Sequence, residues 1–169
     1  MSRLFGIALL LAAIVVGVGY LDDATDRAVE RRPAVVHWFD KPKPASGKST
    51  AISAGLDGQF RAVALINGHR VSMLADTGAT SVVLTLSDAK RIGIWPRRDD
   101  FTVPVQTANG QTRAAPIMLD KVAIDGIRVD DVRALVIGDE SLKISLLGMS
   151  FLGRLANVTM SGNTLQLME

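Results

Sequence analysis

The apolar and polar positions after Gln59 follow the pattern of short strands joined by tight turns. Asn-Gly or Asp-Gly separates two apolar runs at Asn67-Gly68, Asn109-Gly110 and Asp125-Gly126. Because both residues of such a turn take positive φ, each pair predicts a β-hairpin. A fourth hairpin is predicted around Ser161-Gly162-Asn163. Many short strands at regular spacing are typical of a closed all-β barrel or a sandwich.

Two short helices and one buried strand complete the predicted domain. Ser87 to Ile92 is predicted as a helix, with the Ser87 hydroxyl as its N-cap and Gly93 as its stop. A second helix is predicted from about Ser150 to Leu155. The apolar run from Val132 to Ile137 predicts a buried strand.

The N-terminus carries a continuous apolar run from Leu4 to Leu21. At about 1.5 Å per residue this run spans roughly 27 Å as a helix, enough for the hydrocarbon core of a bilayer. Arg3 precedes it and Asp22-Asp23 follow it, so we expect a cytoplasmic N-terminus and an exported domain. A signal peptide cleaved near Gly17-Val18-Gly19 is the alternative, and the length of the run favours the uncleaved anchor.

Residues 22–55 are predicted to be a flexible linker between this segment and the folded domain. Pro33 would end any helical extension, and Lys41 to Ser49 is a polar stretch rich in Pro, Gly and Ser. His37-Trp38-Phe39 is apolar, and either contacts the folded domain or docks at a membrane interface. The predicted organisation is therefore 1–21 as transmembrane anchor or signal segment, 22–55 as linker and 56–169 as folded domain.

Composition excludes several classes of function. The 169 residues contain no cysteine, which rules out disulfides, thiol catalysis and cysteine-based zinc sites. His37 and His69 are the only histidines, so a histidine-rich metal site is excluded and a Ser-His-Asp triad is disfavoured. The net charge of +2, with both signs interspersed, argues against a nucleic-acid surface.

The stretch Ala75-Asp76-Thr77-Gly78-Ala79 carries the candidate chemistry. An apolar strand leads into Asp76 and another, Val82-Val83-Leu84, follows soon after, so we expect this carboxylate to be buried. A buried carboxylate without a partner is costly, and a second carboxylate sharing one proton is one solution. Asp-Thr-Gly occurs once in the chain, so a partner carboxylate on a second such loop would have to come from a second chain.

The order of these elements resembles that of the retropepsins, the single-lobe aspartic proteases. The resemblance covers about Gln59 to Met168 and includes the motif Leu146-Leu147-Gly148 before a helix. With the N-terminal run, the chain most resembles the bacterial membrane-anchored members. The resemblance implies an all-β fold, the closed β-barrel of acid proteases with short helices, preceded by an N-terminal transmembrane helix.

The resemblance also implies roles for individual residues. Asp76 matches the catalytic aspartate, and the hydroxyl of Thr77 would bond across the dimer. Gly78 would allow close approach to its symmetry mate, and Ala79 matches the retropepsin form of the loop. The support that packs beneath this loop corresponds to Leu146, Leu147 and Gly148.

A substrate-covering flap is implied at the hairpin that contains Ala108, Asn109 and Gly110. The last hairpin would supply the interlocked sheet of the family's dimers. Two departures stand out. Met149 occupies the position where retroviral proteases usually have Arg, and Gly110 is the flap's single glycine.

The expected function is a homodimeric aspartic endopeptidase that acts on peptide or protein substrates without metal or cofactor. It would be anchored in a bacterial inner membrane by a single N-terminal helix, with the protease domain in the periplasm or outside the cell. A non-catalytic, anchored peptide-binding or dimerisation module of the same fold is the alternative. A structural envelope protein would leave the Asp-Thr-Gly unexplained.

Overall fold

Ten strands and three short helices make up the part of the chain that the computed structural model describes, residues 47–107, 110–138 and 140–169. The helices are α1 (Leu86–Arg91), a 3-10 turn (Arg98–Asp100) and α2 (Met149–Leu152). The strands are β1 (Ser49–Ser53), β2 (Arg61–Ile66), β3 (His69–Ala75), β4 (Val82–Thr85), β5 (Val103–Thr107), β6 (Gly110–Ile124), β7 (Ile127–Ile137), β8 (Ser145–Leu147), β9 (Asn157–Ser161) and β10 (Thr164–Met168).

Six of these strands close into a barrel. The order is β2-β3-β8-β4-β7-β6, and β6 pairs back onto β2 at Leu65↔Ala123 and Ile66↔Val122. β5 extends the sheet beside β6, and a separate three-stranded sheet has the order β1-β10-β9. The predicted all-β closed barrel with short helices is therefore confirmed.

Strand β4 lies between two hydrophobic cores. Val82 and Leu84 point into the main core inside the barrel, whereas Val83 belongs to a smaller cluster on the other side. The side chains of the neighbouring strand β8 alternate in the same way: Leu147 packs in the main core and Leu146 in the smaller cluster. Both strands are buried at every position, which explains why β4 reads as a continuous apolar run.

Three of the predicted hairpin turns are present in the structure, at residues 67–68, 125–126 and 162–163. Asn67-Gly68 has φ values of 49° and 89°, and Asp125-Gly126 has 46° and 92°. In the last hairpin Ser161 already pairs with Thr164, and Gly162 takes a φ of 54°. Two of the three predicted Asx-Gly turns are therefore confirmed, and the last turn consists of residues 162 and 163.

The flap hairpin has a different register from the predicted one. Thr107 pairs with Gly110, so residues 108 and 109 connect the strands and Gly110 is the first residue of β6. The prediction of Asn109-Gly110 as the turn is therefore wrong by one residue. Glycine can adopt the φ of 105° found at position 110 inside a strand, which permits this register. Residues 108 and 109 themselves lie outside the described residues.

Helix α1 differs from prediction in the residue that caps it. Thr85, not Ser87, caps α1, because its side chain accepts the backbone N–H of Asp88. Gly93 follows α1 with a φ of 85°, as expected for a helix stop.

The folded domain begins before residue 56. β1 spans Ser49–Ser53 inside the stretch predicted as linker, and it pairs along its whole length with β10. The Thr50 hydroxyl also donates to Asp125 Oδ2 in the β6–β7 turn at 2.9 Å. Ile52 is the one hydrophobic residue of β1 that is buried, so the sequence pattern of a strand is weak here.

The predicted anchor and the His37-Trp38-Phe39 patch lie outside the described residues. Among the residues that are described, no helix has the length and apolar character needed to cross a membrane.

An ion pair orders the loop before β2. Arg61 donates two hydrogen bonds to the carboxylate of Asp57, at 2.9 and 2.7 Å, and the backbone N–H of Gln59 donates a third. The Arg61 hydrogen bonds, with the Gln59 N–H, lower the pKa of Asp57 to about 2. The Asp57 carboxylate, and with it the ion pair to Arg61, thus stays ionised through most of the acid range.

Candidate active site

The candidate site is the loop that joins β3 to β4. Asp76 follows directly after β3, and its Oδ1 accepts the backbone N–H of Gly78 at 2.8 Å. Its backbone carbonyl accepts the N–H of Ala79 at 3.3 Å, which closes a tight turn. This turn fixes the orientation of the carboxylate by bonds within the motif itself.

The loop faces outward at its tip. Asp76 is half-buried, Thr77 and Gly78 are exposed, and Ala79 is fully buried. The predicted burial of the Asp76 carboxylate is thus only partly reached in one chain, because nothing in the described residues covers the tip. A second molecule that covers Thr77 and Gly78 would complete that burial.

Strand β8 holds the loop from beneath. The Asp76 N–H donates to the Leu147 carbonyl at 3.1 Å, and the Met149 N–H donates to the Ala79 carbonyl at 2.8 Å. β8 runs parallel to β3, with Leu74 beside Leu146. The segment 147–149 therefore bonds both ends of the Asp76–Ala79 turn.

Gly148 lies where no side chain fits. A Cβ at this position would be 2.1 Å from the carbonyl oxygen of Ser81 and 2.7 Å from that of Ala79. These are backbone atoms of the loop itself, so a side chain could be accommodated only by moving the loop. The glycine thus allows β8 to approach the candidate catalytic loop closely.

A buried polar network fixes the start of β8. Ser145 is fully buried, and its Oγ accepts the Thr85 N–H at 3.1 Å and donates to Asp88 Oδ2 at 2.5 Å. Asp88 also forms an ion pair with Arg91. The network joins β8, the end of β4 and α1. Sequence reasoning missed it, although Thr85 three residues before Asp88 is the spacing of a capping box.

The smaller hydrophobic cluster connects the loop to the flap strands. Ala79 of the loop, Val105 of β5 and Ala114 of β6 pack together in it. Half-buried apolar side chains border this cluster and are candidates for contacting an apolar ligand: Leu74, Val103, Leu142 and Ile144. Val83, in the interior of the same cluster, is 1% exposed and is not among these candidates.

The flap is described up to its tip. Val103 to Thr107 pair with Gly110 to Ala114, and the Thr107 hydroxyl donates to the Gly110 carbonyl at 2.9 Å. The predicted flap residues Ala108 and Asn109 lie outside the described residues. The structure therefore brings together Asp76, the 146–148 support and the flap strands around one small cluster.

Comparisons with known proteins agree with this geometry. A family model described as "gag-polyprotein putative aspartyl protease" matches residues 62–154. The crystal structure of a retropepsin-like aspartic protease from Rickettsia conorii has a TM-score of 0.64 and 34% identity, and the match covers 72% of this chain and 90% of that one.

Two curated relatives are also similar in sequence. An uncharacterized protein in the cobV 5′ region of Sinorhizobium sp is 42% identical over 114 residues, which are 68% of this chain and 49% of that protein. An uncharacterized protein of Rickettsia prowazekii is 40% identical over 98 residues, 58% of this chain and 42% of that protein. The chain thus matches about half the length of these relatives, or less.

Gly148→Ala is expected to destabilise the fold and displace the candidate catalytic loop. The added methyl group would overlap backbone atoms of Ser81 and Ala79, and overpacking of this kind costs about 1–3 kcal/mol or more. Urea unfolding measures the loss. Gly138→Ala is the matched control, because the three atoms nearest to the added Cβ all belong to the flexible carboxylate of Glu140. Equal stabilities of the two variants would contradict the close approach.

Ser145→Ala is expected to lower the free energy of unfolding by about 1–3 kcal/mol, since it leaves the Thr85 N–H and the Asp88 carboxylate without this partner. Urea unfolding again measures the change. Ser72→Ala, an exposed position on β3, provides the control and should stay within about 0.5 kcal/mol of wild type. A Ser145→Ala protein as stable as the control would show that the Ser145 hydrogen bonds do not stabilise the fold.

Proposed function

Since the chain belongs to the retropepsin-like aspartic protease family, we propose that it is an aspartic endopeptidase whose active form is a homodimer. One observation carries the proposal. Asp76 stands on an outward-facing loop, oriented by the Gly78 N–H and held from beneath by β8. The name of the Rickettsia conorii structure, a retropepsin-like aspartic protease, supports the same activity for this chain.

The second catalytic carboxylate would come from a second copy. Asp-Thr-Gly occurs once in the sequence, and the hydrolysis needs an acid and a base at the same time. In the dimer two Asp76 side chains would lie about 3 Å apart and share one proton, because two carboxylates this close cannot both ionise. The pair, and not either residue alone, would titrate.

The reaction then follows from the shared proton. The ionised Asp76 takes a proton from a water molecule, whose oxygen attacks the scissile carbonyl carbon. The protonated Asp76 of the partner donates its proton to the carbonyl oxygen, which gives a neutral tetrahedral diol. When the C–N bond breaks, one hydroxyl gives its proton to the ionised Asp76, and the Asp76 that was protonated by the water gives its proton to the leaving amine.

The flap strands supply the binding surface for the peptide. β5 and β6 project from the barrel beside the small cluster that contains Ala79, so an extended peptide could lie between the flap and the catalytic loop. The half-buried side chains Leu74, Leu142 and Ile144 favour apolar residues in that peptide. Closure of the flap would exclude bulk water from the reacting bond.

Loss of the carboxylate tests the catalytic role. Asp76→Asn should reduce cleavage of a diverse peptide pool by at least about 10³-fold between pH 4 and 8, because neither base nor acid remains. The full-length chain is used in mild detergent, and cleaved bonds are identified by mass spectrometry.

Asp99→Asn, a change of an exposed carboxylate in the 3-10 turn, is the matched control for charge. Equal cleavage by wild type and Asp76→Asn would refute the proposal. A folded, dimeric wild type that binds peptides without cleaving them would favour the peptide-binding module instead.

We further propose that the apolar run from Leu4 to Leu21 tethers the domain to the inner membrane, with the protease domain on the periplasmic or outer side. The full-length chain should resist alkaline extraction from membranes, and a variant lacking residues 4–21 should not. The domain should also be digested by protease added to spheroplasts. A mature chain whose mass begins after Gly19 would replace the anchor with a cleaved signal peptide.

A further inference from the structure

A groove that the proposed reaction does not use lies beside β6. Its volume is about 440 Å³, and it is bounded by the segment between α1 and β5 and by residues 115–117 of β6. Ala115 and Ile117 pack with the main core, whereas Ala114 belongs to the smaller cluster together with the catalytic loop. Because successive residues of a strand point to opposite faces, the groove lies on the face of β6 that is turned away from that loop.

The walls of this groove carry apolar side chains that are open to solvent. Trp95 is 69% exposed, although Lys90 Nζ lies 5.8 Å from the centre of its ring. Pro96 and Pro116 also line the groove. Grooves lined by aromatic side chains bind extended segments that contain proline, because such segments lose little conformational entropy on binding. An exposed tryptophan beside a groove of this composition indicates an interaction surface.

Asp100 contributes a negative charge to the groove. Its Oδ2 accepts the backbone N–H of Arg97 at 2.6 Å. In the described part of the chain its Oδ1 has no hydrogen-bond donor, and the carboxylate forms no ion pair. A carboxylate oxygen in this state can accept the N–H groups of a guanidinium. The groove therefore fits an extended segment in which an arginine adjoins proline and aliphatic residues.

The chain itself contains such a segment, outside the described residues. Arg31-Arg32-Pro33-Ala34-Val35-Val36 places two arginines directly before a proline and three aliphatic residues. The apolar stretch continues through His37-Trp38-Phe39, and Asp40 follows it. Lys41-Pro42-Lys43-Pro44 combines cations with proline too, but it contains no aliphatic residue between them. The composition thus favours residues 31–36 as the occupant.

The length of the chain favours the same segment. Lys48 Cδ lies 3.6 Å from the position that a Cβ would take on Gly126, so the first described residues lie beside the β6–β7 turn. Along β6, the path from Gly126 to Pro116 in the groove covers up to about 33 Å. An extended chain from Lys48 reaches about 50 Å at Pro33, but only about 14 Å at Pro44. The Pro33 segment can therefore reach the groove even if β6 is straight, whereas Pro44 falls far short of that distance.

We propose that residues 31–36 dock in this groove of their own chain, with the aliphatic residues against Trp95 and an arginine at Asp100. Weak binding is sufficient for this. A segment joined to the domain by about ten residues has an effective concentration in the millimolar range, so an intrinsic dissociation constant of about 0.1 mM keeps the groove roughly nine-tenths occupied. With the proposed anchor in place, only residues 22–30 would then separate the docked segment from the membrane.

Engineered cysteines test the docking, since the chain has no cysteine of its own. The full-length chain is used in mild detergent and carries Asp76→Asn, which excludes self-cleavage. Ala34→Cys combined with Thr102→Cys, at an exposed position that lines the groove, should form an intrachain product with a short thiol-specific cross-linker. Ala34→Cys with Ser72→Cys is the matched control, because Ser72 is also exposed but lies on β3.

The cross-linking outcomes are distinct. The yield at Thr102 should exceed that at Ser72 at least about 10-fold, because docking raises the local concentration of one cysteine beside the other. Mass spectrometry identifies the linked peptides. Equal yields at the two positions, or no product at Thr102, overturn the proposal. A Thr102 product with twice the mass of the chain would place the segment on another copy and would overturn docking within one chain.

Hydrogen exchange measures the docking without cysteines. In the Asp76→Asn chain the amides of residues 34–36 should exchange about 10-fold more slowly than in the same chain with Trp95→Ala, which removes a wall of the groove. Met118→Ala removes an exposed side chain from β6 outside the groove and should leave these rates unchanged. Equal rates with and without Trp95 overturn the proposal. Circular dichroism checks that each variant folds, and the cross-linking result decides if Trp95→Ala does not.

These measurements are independent of the proposed activity, because every chain in them carries Asp76→Asn. Failure of the docking would leave the protease proposal intact. A wild type that cleaves no peptide would refute the protease and leave the docking.

Discussion

The structure depends on the bonds that β8 makes with the loop after β3. The Leu147 carbonyl and the Met149 N–H bond opposite ends of the Asp76–Ala79 turn, and Gly148 between them allows the two backbones to approach. A loop tip that is otherwise exposed is thereby held in one conformation. Everything else near the site, including the flap strands and the small hydrophobic cluster, is arranged around this fixed segment.

Local chemistry explains which features could be predicted. The Asn67-Gly68 turn is determined by two adjacent residues that tolerate positive φ, so no distant part of the chain has to be known. The Asp-Thr-Gly loop was found for a similar reason, because the motif and its flanking strands lie together in sequence. The regular spacing of such local signals left a barrel or a sandwich open, and the resemblance to the retropepsins implied the closed barrel.

Distant contacts explain what could not be predicted. Thr85 and Ser87 are both good helix caps by composition, and the choice of Thr85 goes with the buried Ser145, from another strand, that bonds its N–H. β1 has Ile52 as its single buried hydrophobic residue and depends on β10, from the far end of the chain. The flap register shifted by one residue because Gly110 accepts a strand position with positive φ.

The alternation of β4 and β8 between two cores has a consequence for how this fold can change. Val82 and Leu84 pack inside the barrel, while Val83 packs beneath the flap strands. Adjacent residues of one strand therefore serve different parts of the molecule, and each can vary in volume without disturbing the other. The cluster beneath the flap strands can be reshaped while the barrel keeps its packing, by substitutions a single position apart.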